Sequence, residues 1–355
     1  MDNNLCTKNL ITTNNNFEIK YLYSRPNGLV GIGKRISIPL SVHKYGDKQV
    51  DLVSNPIIIF ELGDIDLEFV PQRIFHQIEF EIGGTQIDKI SLNQINVLQK
   101  KYNLEVKQIG SKVFFPLPIN CLLKSNGIPI SKCIYHELRL LFEFTNEQCI
   151  GCIQDICVRT DLIIFEKQPV WKNICEPILS EILEKSIYSD KMKNYIETKP
   201  YGDFESKQII KIKQNQFTGL ECLNRQTDYK IKLNFYHDIE RFYIWFENSI
   251  DEIVYKEKPF DKISFIADNI KVLELDYEDF VYNTLSVNNN NKGLGLGKGI
   301  YEIEWKNIIN YEPDILMVEL NGLILPNQDI CFGIYVELYN YLEFENGLSK
   351  IIFGN

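Results

Sequence analysis

Hydrophobic and polar positions alternate with a period of two along much of this chain. In "HQIEFEIGG", Ile78, Phe80 and Ile82 fall on one face and Gln77, Glu79 and Glu81 on the other, before a break at Gly83-Gly84. "HELRLLFEF" sets Leu138, Leu140, Phe142 and Phe144 against Glu137, Arg139 and Glu143. "YKIKLNFYH" sets Tyr229, Ile231, Leu233 and Phe235 against Lys230, Lys232 and Asn234, and "YEIEWK" repeats the pattern with Tyr301, Ile303 and Trp305. Successive side chains of a strand point to opposite sides, so these segments predict strands in sheets with one apolar and one wet face. The fold class is all-β.

Two stretches change period. "SLNQINVLQKKY" (Ser91 to Tyr102) spaces Ile95, Leu98 and Tyr102 three and four apart behind a Ser able to cap a helix, which predicts a short helix between strands. "PILSEILEKSIYSDKMKNYI" (Pro177 to Ile196) pairs Ile178 with Ile182 and Leu179 with Leu183, with Pro in the first turn, and reads as a linker helix near mid-chain. The chain of 355 residues is too long for one typical core and suits two domains. The expected division is a polar N-terminal arm (1–16), an N-terminal jelly roll (17–170), a linker with a short helix (171–205) and a C-terminal jelly roll (206–355).

Composition narrows the function. Hydrophobic residues at 45% and charged residues at 24% describe a globular chain and not a disordered one. A net charge of −10 with no Lys/Arg block argues against direct nucleic-acid binding as the main role. The first twenty residues are polar and Asn-rich, so no signal peptide is read there, and "PIIIF" is far short of a membrane span. The expectation is a cytosolic protein with reduced thiols.

Candidate chemistry is sparse. Among nine cysteines, Cys149 and Cys152 form a C-x-x-C, with Cys157 and Cys175 further on. Those last two do not make the second pair of a four-thiolate zinc site, so buried thiols are the preferred reading. "VNNNNKGLGLGKGI" (Val287 to Ile300) is an exposed Asn/Gly loop. It fails as a phosphate loop, because Lys292 stands where the first Gly is needed and Gly299 where Ser/Thr is needed. Of the four histidines (His43, His76, His136 and His237), alternation puts His136 on the face of Leu138 and Leu140, away from Glu137. His237 closes a strand beside Asp238 and reads as a turn hydrogen bond. "LELDYEDF" places Glu274, Asp276 and Glu278 on one face, read as a solvated sheet face. No catalytic, cofactor-binding or metal-binding residue is assigned, and no enzyme activity is expected.

Four segments carry a family likeness. They are "FEIGGTQIDKI" (Phe80 to Ile90), "FFPLPINCLLKSNGIPISKCIYHELRLLFEF" (Phe114 to Phe144), "KIKLNFYHDIERFYIWF" (Lys230 to Phe246) and "YVELYNYLEFENGLSKIIFGN" (Tyr335 to Asn355). Together, in this order, they resemble the major capsid proteins of nucleocytoplasmic large DNA viruses. Two positions depart from the family pattern: Asp238 replaces a Pro and Ile119 an aromatic. The resemblance implies a double jelly roll: two tandem β-sandwiches with short inserted helices. It also implies a structural capsid protein forming homotrimeric, pseudo-hexagonal capsomers of an icosahedral shell. Its implied partners are itself, neighbouring capsomers and minor capsid proteins, with any internal membrane reached through other proteins and no direct nucleic acid. The implied location is the virion, with assembly in the host cytoplasm. In that setting the arm at Pro116, Pro118 and Pro129 stiffens the approach to a strand by fixing φ and removing N–H donors, and Asn126-Gly127 supplies a turn. Other readings are an assembly scaffold or minor capsid protein of the same fold, and a carbohydrate-binding or carbohydrate-cleaving β-sandwich.

Overall fold

In a computed structural model the described residues are 16–166, 207–248, 259–280, 300–323 and 330–351, except 41, 64–70, 124–126, 223–226, 235–238, 306–307, 309–312 and 346. The helix expected at Pro177–Ile196, the 287–299 loop, Phe235 and Asn126 lie outside them.

The first part of the chain contributes β1 (Phe17–Ser24), β2 (Arg35–Pro39), β3 (Lys44–Tyr45), β4 (Lys48–Gln49), β5 (Leu52–Leu62), β6 (Phe75–Ile82) and β7 (Thr85–Ser91). Helix α1 (Leu92–Lys101), β8 (Lys107–Ile109), β9 (Lys112–Pro116), β10 (Leu138–Phe144) and β11 (Ile153–Phe165) follow. These strands form two sheets, β1-β11-β5-β9-β8 and β2-β10-β6-β7, while β3 and β4 make a separate hairpin. The second part contributes β12 (Lys207–Cys222), β13 (Asp228–Leu233), β14 (Ile239–Asn248), β15 (Lys262–Ala267) and β16 (Ile270–Asp276). It continues with β17 (Ile300–Glu304), β18 (Leu316–Asn321), β19 (Ile330–Glu345) and β20 (Leu348–Ile351). Its sheets are β12-β19-β14-β17, with β20 on β19, and β13-β18-β15-β16.

With the short β3, β4, β8 and β20 set aside, eight strands remain in each half. Both halves then show one strand order, 1-8-3-6 in one sheet and 2-7-4-5 in the other. That wrapping, in which the chain crosses to the facing sheet after every strand but the fourth, whose hairpin stays in its own sheet, is the jelly roll, and it occurs twice. Two compact units divide the residues: 1–180 with 195–214 and 340–354, and 181–194 with 215–339 and 355.

The alternation read from sequence sets the faces. Along β10, Leu138, Leu140, Phe142 and Phe144 are buried while Arg139, Leu141 and Glu143 are only partly covered. β10 pairs β6 from Leu138↔Ile82 to Phe144↔Phe75, which brings Phe142 beside Ile78 and Leu140 beside Phe80. The β6–β7 turn falls at Gly83-Gly84, both at positive φ (+59° and +83°), the left-handed pair a two-residue hairpin requires. Phe75 lies at the middle of the first core. Its ring is 5.9 Å from Phe60 and Phe115 of one sheet and 5.3 and 5.4 Å from Phe142 and Phe144 of the other. In the second core Phe242 of β14 meets Phe265 of β15 at 5.2 Å and Trp305 at 5.0 Å.

Helix α1 begins where the sequence places it. Gln94 Oε1 accepts the Ser91 N–H at 2.8 Å and the Ser91 hydroxyl at 3.0 Å, the backward half of a capping box. Ile95 and Leu98 are fully buried. The proline arm is core as well: Leu117, Pro118, Ile119, Asn120, Cys121 and Leu122 are buried. Asn120 Nδ2 donates to the Tyr102 hydroxyl at 2.8 Å, and Ile128 exchanges two backbone bonds of 3.0 Å with Val53.

Truncating Phe75 to Ala removes a ring that touches both sheets and should cost about 3–5 kcal/mol. Tyr23→Ala, at an exposed ring, should stay within about 0.5 kcal/mol. Chemical-denaturation midpoints of the two variants check this, and equal losses would contradict the placement of Phe75. Gln94→Ala, which removes the acceptor of both Ser91 bonds, should cost about 1 kcal/mol or more by the same measurement.

Candidate functional site

The residues singled out for chemistry do not converge. His76 is exposed on β6, and His43 precedes β3. His237 and Cys175 lie outside the described residues. His136 corrects the strand reading: it sits in a bend before β10 and does not share the face of Leu138. Its ring occupies the space above Gly83, where a Cβ would come within 2.6 Å. Its Nδ1 accepts the Ser349 N–H at 3.1 Å and contacts the Ser349 hydroxyl at 2.9 Å. The Tyr135 N–H donates to Gly347 O at 3.1 Å, so the β19–β20 turn is fastened to the segment leading into β10. Gly347, at φ +79°, has no room for a Cβ against Ile134 and Tyr135.

The acidic run is an ion-paired edge. Glu274 and Asp276 are exposed on β16. Lys262 lies 3.7 Å from Glu274 and 3.6 Å from Asp276, while Lys271 bonds Glu274 and holds its carboxyl below the usual range. Glu278 does not continue the strand, because a helical turn covers 277–280. Cys149 and Cys152 fall in a 3-10 helix (Gln148–Cys152) and are half-buried, as is Cys157 on β11, so these three are less enclosed than the sequence reading expects. Among the described cysteines, Cys121 and Cys133 are the fully buried thiols, and burial pushes Cys133 up to about 12. Among the described residues no group of three or more His, Cys, Asp or Glu could hold a metal ion. Among them, too, no helix is long and apolar enough to cross a membrane.

Some charged positions expected in water are buried. Glu302, between the core residues Tyr301 and Ile303, is 1% exposed. Arg241 Nη1 lies 2.5 Å from Glu302, and the Tyr243 hydroxyl is 3.3 Å from Glu302 and 3.5 Å from Glu337. Desolvation works against the Arg241 charge, but Tyr243, Glu302 and Glu240 outweigh it and hold the guanidinium above its ordinary range. Tyr243 stacks on Tyr335 at 4.6 Å, and Tyr243, Trp245 and Tyr335 are all fully buried. They alternate with the core residues Phe242, Ile244, Phe246, Ile334 and Val336, so β14 and the facing stretch of β19 are enclosed on both faces.

The corresponding sheet of the first sandwich is not. Its outward row Tyr23–Arg159–Ile57–Pro116 runs across β1, β11, β5 and β9 by register. The next row runs Cys157–Ile59–Phe114. Tyr21 and Tyr23 are 51% and 59% exposed, and the Arg159 guanidinium stands 5.0 Å over the Tyr21 ring. Ile57, Phe114, Pro116 and Cys157 are half-buried. Beside this face an open cleft of about 900 Å³ includes Phe17, Lys48, Asp51, Lys132 and Phe165. Burial raises the Asp51 carboxyl, which accepts the Phe165 N–H at 2.9 Å. Sequence reasoning did not single out Tyr21 and Tyr23: they carry no motif, and alternation would fix their face without saying what covers it.

No protein-family model matches the sequence. The chain is 23% identical over 245 residues to the major capsid protein of Paramecium bursaria Chlorella virus 1, covering 62% of this chain and about half (51%) of that relative. Its structure superposes on PBCV-1 VP54 with a TM-score of 0.66 at 16% identity, covering 98% of this chain and 100% of that one. The Faustovirus major capsid protein matches with a TM-score of 0.56 at 10% identity, covering 94% and 92%. The likeness read from the sequence motifs is borne out, and the fold is the double jelly roll.

Removing the Arg241 cation leaves the Glu302 carboxylate buried. Arg241→Met should destabilise near the low end of the about 3–5 kcal/mol seen for broken buried pairs, since Arg241 is itself partly exposed. Arg241→Met with Glu302→Leu should recover most of that loss. Denaturation of the single and double variants checks it, and equal stability of the two would refute the pairing.

Proposed function

We propose that this double jelly-roll chain is a structural capsid protein of a large DNA virus. Its work is association: homotrimers pack as pseudo-hexagonal capsomers of an icosahedral shell, and no catalysis is involved. The observation carrying the reading is the strand order 1-8-3-6 with 2-7-4-5, present twice in one chain. A trimer of such chains offers six similar modules about one axis, and cyclic closure consumes complementary faces. The sequence likeness to a major capsid protein supports the same role. The half-buried apolar face around Tyr21, Tyr23 and Arg159 supports association, since Tyr and Arg are enriched among residues that dominate interfaces. Neighbouring capsomers and minor capsid proteins are the further partners, the virion is the location, and assembly takes place in the host cytoplasm. The proposed segments are an arm at 1–16, jelly rolls at 17–170 and 206–355, and a linker at 171–205.

Light scattering on a sizing column tests this. A species about three times the 41.5 kDa of one chain, stable to dilution, is expected. Tyr21→Glu with Tyr23→Glu should shift it toward smaller species. A persistent single-chain mass for the unaltered protein would overturn the trimer and direct attention to glycan binding.

A further inference from the structure

The C-x-x-C motif is not used by any association surface described above, and its placement gives it a chemistry of its own. Residues Gln148–Cys152 form a 3-10 helix in the crossover that carries the chain from β10 in one sheet to β11 in the other. A 3-10 helix has three residues per turn, so positions i and i+3 eclipse. Ile150 points into the core, 2% exposed, and an added Cβ on Gly151 would meet nothing within 4 Å. Cys149 and Cys152 therefore share the remaining side of the turn. A rise of about 2 Å per residue puts their Cα atoms about 6 Å apart, inside the roughly 4.4–6.8 Å that a disulfide spans, and closing the bond requires the turn to tighten until the eclipsed Cβ atoms stand about 4 Å apart. Both are half-buried thiols, while Cys121 and Cys133 are enclosed in the core.

We propose that Cys149 and Cys152 are a reversible dithiol–disulfide pair that accepts oxidation by a peroxide. One thiol loses its proton, and its sulfur attacks a peroxide oxygen as the O–O bond breaks, giving a sulfenic acid and water. The second sulfur then attacks the sulfenic sulfur. The S–S bond forms, and the hydroxyl leaves with the second thiol proton as water. Two thiols and one hydrogen peroxide become one disulfide and two waters, with two electrons passing from sulfur to peroxide. The link fixes the turn whose Cys152 carbonyl accepts the Gly63 N–H at 2.9 Å, and so it braces the crossover where β11 enters the sheet beside β5. The pairing goes beyond the shell-building role and does not depend on it.

The full chain is treated with hydrogen peroxide below its unfolding temperature, alkylated with iodoacetamide, and digested with trypsin. The peptide from Leu140 to Arg159 also carries Cys157, so fragmentation assigns which thiols lost the label. The expected result is loss of label at Cys149 and Cys152 together, retention at Cys157, and a peptide two hydrogens lighter that dithiothreitol restores. In Cys152→Ser the sulfenic acid should persist at Cys149 and be trapped by dimedone. Label retained at both cysteines, or a bond from either one to Cys157 or to a second chain, overturns the pairing.

Discussion

Each sandwich depends on the burial of aromatic rings between its two sheets. Phe75 meets Phe60, Phe115, Phe142 and Phe144 in the first, and Phe242, Phe265 and Trp305 interlock in the second. A buried aromatic removes about 150–250 Å² from water, so a few rings outweigh many polar contacts at the surface. The rings come from strands far apart in sequence, and Phe75 meets Phe60 and Phe115 only once the two sheets face one another. This constraint uses one face of every strand. The other face is left to evolve separately, and the two sandwiches have used that freedom differently.

The contrast shows on equivalent sheets. In the second sandwich the outward residues of β14, β17 and β19 are large, buried and partly charged, with Arg241, Tyr243, Glu302 and Glu337 joined in one cluster. In the first, Tyr21 and Tyr23 on the outward side of β1 are exposed, and Ile57, Phe114, Pro116 and Arg159 beside them are half-buried. Edges differ too. β16, at the edge of its sheet, carries Lys271, Glu274 and Asp276, a row of charges that discourages addition of another strand. β1, also at an edge, carries two exposed tyrosines in place of such a row on its outward face.

Much of this was legible in the sequence. Period-two alternation located β6, β10, β13 and β17 with the right core faces, and S-L-N-Q marked the start of α1. The polar faces were misjudged: Glu79 and Glu302 sit where alternation puts water, yet both are buried beside arginines, Arg35 at 2.6 Å and Arg241 at 2.5 Å. A local pattern reports which side a residue takes and is blind to what arrives over that side. The same blindness placed His136 on a strand, when a glycine fifty-odd positions away, Gly83, had cleared the space for its ring. Strand order was beyond reach for the related reason that Phe17 pairs with Phe165. Two jelly rolls were expected from the sheet-rich halves and from the family likeness, while the order of their strands was not read from the sequence.

The way residues are shared between the units has a consequence for biosynthesis. The first unit is completed by residues 340–354, with β20 against the Tyr135–His136 segment and Asn340 bonded to Gln214 at 2.9 Å. A ribosome delivers these residues only after all of 215–339 has been made, at roughly 5–20 residues per second. The N-terminal unit thus cannot finish folding before the C-terminal one has emerged. Vectorial folding, one domain behind the other, is closed to this chain. Nascent protein must wait with an incomplete first unit until residues 340–351 have been made.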